Sequence, residues 1–321
     1  MIAPVSKPLV FWQRHYRHII YVLVFLCVLL PMFLPVKLRV NVSPPTRNVF
    51  NAVDTLAAAR HDAITNLEAM IAATTNRTGI ARLKERLDRL RMNTNGVLML
   101  SCDFAPDTAP ELEPMAVAIL RHAFARNVRV LALTPSTVTG VQLAEKIIGV
   151  AARQSTNLYS ARVDGRDYLF LGFRPNMFQL LMAMGENISH AYVTDNAGRD
   201  LATQPFMRGI QNYNDIDLIV SITGYTGVPE MWIQVAHTRN KRPLGFGFTA
   251  VGVTDYYPYL HSKQIIGLLA GLRGAAEYEI ASGLPDAACG RMFSQFCSHL
   301  LVIVLVIVGN IEFIYYRRRT R

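Results

Sequence analysis

The stretch "CDFAPDTAPELEP" crowds Asp103, Asp107, Glu111 and Glu113 into one short segment. Carboxylates this close could hold a hard cation or share acid–base work. Most of the pattern has a local explanation. Thr108 and Glu111 have the spacing of a helix capping box, and Pro110 suits a first helical turn. Asp103 stands outside that box and is the one candidate for catalysis, as a ligand, a base or a loop hydrogen-bond acceptor. The cysteines suggest no metal centre. Cys27 lies in an apolar run, and Cys102, Cys289 and Cys297 lack the paired spacing of a zinc site.

A second candidate is the turn inside "SITGYTGVPEMW", comprising Thr223, Gly224, Tyr225, Thr226 and Gly227. Glycines between a strand and a helix let backbone N–H groups face an anion near the helix start. The same residues also make an ordinary strand-to-helix turn, and they match neither the P-loop nor the GxGxxG fingerprint. Hydroxyls at Ser136, Ser221 and Thr223, with histidines 122, 190, 237 and 261, raise nucleophilic hydrolysis. None of them sits in GxSxG or HExxH. That reading requires a Ser or Thr oxygen on a histidine that a carboxylate orients. No pattern names a cofactor.

These residues need elements to position them, and from Gly96 onward short buried-strand runs alternate with helical segments. "GVLMLSCDF", "VRVLALT", "DYLFLGF", "DIDLIVSITG" and "RPLGFGFTAVG" read as strands; "PELEPMAVAILRHAFA", "GVQLAEKIIGVAARQ" and "PEMWIQVAHTR" read as helices. The alternation predicts an α/β fold with a doubly wound, mainly parallel sheet flanked by helices. Asp103 and Thr223 then fall at carboxyl ends of strands, where such sheets bind ligands. Residues 263–281 read as the last helix. On it Gly267, Gly271, Gly274 and Ala275 form a small-residue face for close packing, within the domain or against a second copy. Glu277 and Glu279 are two apart and cannot share a helix face, so at least one is expected in solvent.

The chain has 321 residues, 51% of them hydrophobic. The excess lies in two apolar runs, expected as one transmembrane helix at each end (19–36 and 299–316) because about 20 apolar residues cross a bilayer. The expected order is an N-terminal segment (1–18), the first span, a helical stalk (37–95), the α/β domain (96–284), a linker (285–298), the second span and a basic tail (317–321). The tail "RRRTR" faces only Arg291 across its span. Basic residues stay cytoplasmic, so both termini are expected in the cytoplasm and the central domain outside it. Net charge is +10, but eight of the 33 basic residues and one of the 23 acidic ones lie outside residues 38–298, leaving +3 there. Basicity therefore reports membrane orientation, and nucleic acid is not an expected partner.

The stretches "DFAPDTAPELEPMAVAILRHAF", "DYLFLGF", "MWIQVA", "YPYLHSKQIIGLLAGLRGAAEYE" and "GNIEF" resemble an uncharacterised family of bacterial membrane-anchored α/β proteins. Lys263 stands where that family carries glycine. The resemblance implies a bacterial membrane protein and brings no activity with it. The expectation is a binding or scaffolding component of a membrane assembly, whose partners are the lipid bilayer, another membrane protein or a second copy. The alternative is a membrane-anchored hydrolase or other enzyme using the strand ends.

Overall fold

The computed structural model describes residues 7–33, 41–158 and 161–319. In chain order the helices and strands are α1 (Lys7–Phe33), α2 (Pro44–Asp54), α3 (Leu56–Ala73), α4 (Arg77–Arg91), β1 (Val97–Asp103), α5 (Ala109–Ala125), β2 (Arg129–Leu133) and α6 (Val141–Leu158). There follow β3 (Tyr168–Phe170), α7 (Met177–Glu186), α8 (Ile188–Ala191), β4 (Leu218–Thr223), α9 (Val228–Trp232), β5 (Leu244–Phe248), α10 (Tyr257–His261), β6 (Gly267–Ala270), α11 (Gly271–Ala281) and α12 (Ala287–Arg319). A π-helical segment, Ile233–Arg239, continues α9.

All five strand pairings are parallel, in the order β3-β2-β1-β4-β5-β6. Each parallel pair needs a crossover, and the helices supply it on both faces. Strands buried on both faces read as continuous apolar runs, which explains "VLML" in β1 and "LIV" in β4. Odd-numbered residues of β1 and β4 (Val97, Met99, Ile219) join the core under α7 and the Trp232 segment. On the other face α5 lies between α6 and α11. Chain order reverses between β1 and β4, the place where doubly wound sheets open a crevice at their carboxyl edge.

Residues 263–281 are not one helix. Residues 267–270 pair in register with β5, Gly245 to Gly267 and Phe248 to Ala270, and only then does the chain turn into α11. A four-residue apolar run reads equally as buried strand or buried helix, and here pairing to the sheet edge decided. Gly267, Gly271, Gly274 and Ala275 therefore do not form one helical face, although each is buried. The close packing is real but has another geometry. A Cβ on Gly267 would stand 2.4 Å from the Pro45 carbonyl oxygen, because α2 lies directly on β6. One on Gly274 would meet the Leu269 backbone at 2.8 Å. Gly271 turns strand into helix at φ +52°, a backbone conformation glycine adopts without steric cost. These neighbours belong to the same chain.

Glu277 and Glu279 are both buried, against the expectation that one faces water. Two apart on α11, they point to different sides, and both sides are covered. Glu277 accepts from Ser43 N at 3.0 Å and from Arg273 Nε at 2.9 Å. Glu279 accepts from Asp286 N at 2.8 Å and Ala288 N at 2.9 Å, closing the start of α12. Glu279→Gln, silent on a solvated surface, is instead expected to lower stability by about 1–3 kcal/mol, since an NH2 would replace one of two acceptors for buried N–H groups. Urea denaturation beside wild type measures this; a change within about 0.3 kcal/mol would show that the cap is dispensable.

The segment expected as a stalk belongs with the sheet. Residues 40–288 form one compact unit. Arg60 of α3 is fully buried against Asp217, and α3 and α4 share a small apolar cluster of Leu67, Leu87 and Leu90. The terminal helices form the second unit. Among the described residues one helix segment, Ala287–Tyr315, is long and apolar enough to cross a membrane, and its apolar side chains, such as Ile303 and Ile307, are exposed. For the expected first span, 19–36, the described residues show less: the apolar stretch of α1, Tyr16–Leu29, is shorter than a span, and residues 34–36 lie outside the described residues.

Candidate functional site

The carboxyl edge at the reversal is built by β1 and β4, which place Ser101 beside Ser221 and Asp103 beside Thr223 in register. All four side chains therefore point to one face of the sheet. Asp103 is fully buried. Its Oδ2 accepts from the Ser101 hydroxyl and from Ser221 Oγ at 3.2 Å; its Oδ1 accepts from Ser136 N at 3.2 Å, in the loop after β2. One carboxylate thus ties three strand ends together. Burial pushes its pKa up, and the Ser101, Ser136 and Ser221 donors oppose that rise. The Trp232 indole N–H also holds the carboxylate down, although it falls outside hydrogen-bond geometry. Asp103 is thus a fastening beneath the crevice. Ser101, Ser136, Ser221 and Trp232 are scattered in sequence; the serines' positions near strand ends were the only signal that could have linked them.

The turn after β4 lies above this floor. Thr223 Oγ1 accepts from Tyr225 N at 3.0 Å, a local side-chain turn. Gly224 packs so closely on Thr108 that a Cβ there would sit 2.6 Å from its hydroxyl. Tyr225 and Gly227 are half-buried and Thr226 is exposed. Gly227, at φ +84° with open space around it, leads into α9. The loop from β1 into α5, residues 104–108, contains no glycine, so a close-approach pyrophosphate cradle of the GxGxxG kind has no counterpart there.

The acidic stretch disperses. Thr108 makes no side-chain cap; its hydroxyl bonds back to the Ala105 carbonyl at 3.3 Å because its backbone already lies near the helical region. Glu111 reaches the Ala250 N–H at 2.9 Å, beyond β5, and Glu113 pairs with Lys146 at 2.9 Å. The capping box is therefore not formed. Asp107 is exposed. Among the described residues no three His, Cys, Asp or Glu side chains come together.

Of the four candidate histidines, His122 meets a carboxylate and a hydroxyl, and the hydroxyl is a tyrosine's. Its Nε2 lies 3.1 Å from Asp54 and its Nδ1 2.9 Å from Tyr278, with Phe50 stacked on the ring at 4.5 Å. Burial lowers the His122 pKa and raises that of Tyr278, which favours the neutral form of each. This trio ties α2, α5 and α11, on the face of the sheet away from Asp103. His190 and His261 are exposed and His237 is half-buried. Comparison of the chain with family models, with curated proteins and with solved structures yields no match.

Proposed function

We propose that this chain is a membrane-anchored α/β binding or scaffolding component of a membrane assembly, engaging its partner at the carboxyl edge between β1 and β4. The observation that carries the reading is the state of Asp103: its two oxygens are occupied by donors of its own chain, and its carbonyl accepts from Gly224 N at 3.1 Å, in the turn that runs on to the open position Gly227. The exposed apolar helix Ala287–Tyr315 supports anchoring. We further read the setting as a bacterial cell membrane crossed twice, with both termini cytoplasmic and the central domain outside, on the strength of the arginine tail. Partners are then the bilayer and another membrane protein or a second copy.

Thiol labelling of intact cells tests the topology with cysteines placed at Thr226 and in the tail. Labelling is expected at position 226 only; the reverse pattern puts the domain in the cytoplasm. Crosslinking in native membranes from Thr226→Cys tests the partner site, and a specific adduct is expected there. The enzyme reading keeps one specific observation, the raised pKa of Asp103 in a sheet-edge position. Asp103→Asn separates the two. A carboxyl whose folded pKa is raised stabilises the fold below its unfolded pKa and loses that contribution as pH rises through the folded value. The difference in stability between wild type and Asp103→Asn should therefore shift against wild type as pH rises, while the Thr226 adduct persists. Loss of a turnover with fold and adduct intact would establish the enzyme instead.

A further inference from the structure

We infer that a cleft at the amino-terminal end of the sheet, lined by Arg129, Arg166, Arg208 and Asn93, is a binding site for a phosphate-bearing anion. The cleft has a volume of about 490 Å³, enough for a phosphate with a small polar body attached. It lies at the opposite end of the strands from Asp103, so it stands independently of the partner edge proposed above.

Four separate segments build it: the end of α4 (Met92, Asn93), the first residue of β2 (Arg129), the turn before β3 (Arg166, Asp167) and the turn at Pro205 and Arg208. Three guanidinium groups face one carboxylate. That carboxylate is already engaged, with Asp167 Oδ2 3.0 Å from Arg166 and accepting from Val163 N at 2.8 Å. Arg129 is held in place by its own bonds. Its Nε donates to the Arg166 carbonyl at 3.3 Å, its Nη2 to the Phe206 carbonyl, and its plane lies 4.3 Å over the Phe206 ring. Among the described residues Nη1 of Arg129 and the whole guanidinium of Arg208 have no side-chain or backbone acceptor. The charge of Arg60 reaches Arg129, and the Nε and Nη1 of Arg60 are buried without partners. Desolvation first, and then the nearby Arg60 charge, lower the Arg129 pKa to about 10, the response of a cation drawn out of water beside a like charge.

The chemistry required is a compact anion with several oxygens and a geometry that guanidinium forks can grip from two sides. A phosphate monoester satisfies this, and so does the phosphodiester of an anionic lipid. The shared feature is the phosphoryl oxygens; the two sources are distinguished by experiment.

The test uses the full-length chain in a non-ionic detergent. One arm titrates glycerol 3-phosphate by calorimetry; the other titrates phosphatidylglycerol doped into the neutral micelles. Wild type is expected to bind at least one probe, and which one identifies the source. Arg208→Glu should weaken that binding by roughly tenfold or more, the loss of a charge-assisted contact, and Arg166→Ala added to it should weaken it further. Arg153→Ala, in a separate cleft beside Tyr168, should leave binding unchanged. Arg208 is exposed, so its replacement leaves the fold intact; Arg208→Gln with a thermal unfolding curve checks this. Binding of neither probe at millimolar concentration, or binding within twofold of wild type in Arg208→Glu, overturns the assignment.

Discussion

Arg60→Ala is expected to lower unfolding free energy by about 3–5 kcal/mol, the range for removing one partner of a buried ion pair. Arg60 is fully buried on α3, with its Nη2 3.0 Å from Asp217 Oδ2 and 3.1 Å from the Asp215 carbonyl. The same Asp217 oxygen accepts from Val97 N at 2.7 Å, at the start of β1. Alanine would leave that carboxylate without its countercharge beside the amino ends of β1 and β4, and a large side chain's volume would be empty. Asp217 already has its pKa raised by burial, with the Arg60 charge as the largest opposing influence. Without Arg60 the pKa rises further. A carboxyl raised in the folded state is stabilising when protonated, so the deficit of Arg60→Ala should shrink on acidification and widen as pH rises through the elevated Asp217 value. Urea denaturation at several pH values, followed by tryptophan fluorescence, measures both effects. A deficit below about 1 kcal/mol, or one independent of pH, would show that the α3 contact is not a cornerstone of the domain.

Gly271→Leu is expected to cost about 2–5 kcal/mol, the sum of two unfavourable terms. A residue with a Cβ at φ +52° carries about 1–2 kcal/mol of backbone strain, and overpacking adds about 1–3 kcal/mol. The first carbon alone would stand 2.8 Å from Ala250 Cβ, 2.9 Å from Ala250 N and 3.0 Å from Glu111 Oε2. It would therefore also disturb the Ala250-to-Glu111 bond that joins the end of β5 to α5. Gly271→Ala isolates the strain and the first carbon; leucine adds the rest. Because every one of these neighbours lies in the same compact unit, size measured in detergent should stay constant up to the unfolding transition. Dissociation at temperatures where the fold is intact would instead place Gly271 at a contact between copies.

The amino-acid sequence by itself determined the α/β class, the strand ends that carry Asp103 and Thr223, and the exposed apolar segment near the C-terminus. These follow from local patterns, since a strand buried on both faces must be apolar throughout, a crossover helix must be amphipathic, and a membrane span must be long. The tertiary structure decided whatever depends on partners far along the chain. Residues 267–270 are strand because β5 offers an unpaired edge, and Glu277 and Glu279 are buried because Ser43 and Ala288 arrive from other segments. Glu111 abandons Thr108 because the Ala250 N–H lies within reach. The fastening of Asp103 by Ser101, Ser136 and Ser221 and the cleft of Arg129, Arg166 and Arg208 likewise join residues that no spacing relates. A carboxylate or guanidinium takes its role from the charges and donors that surround it after folding, and chain order does not encode those neighbours.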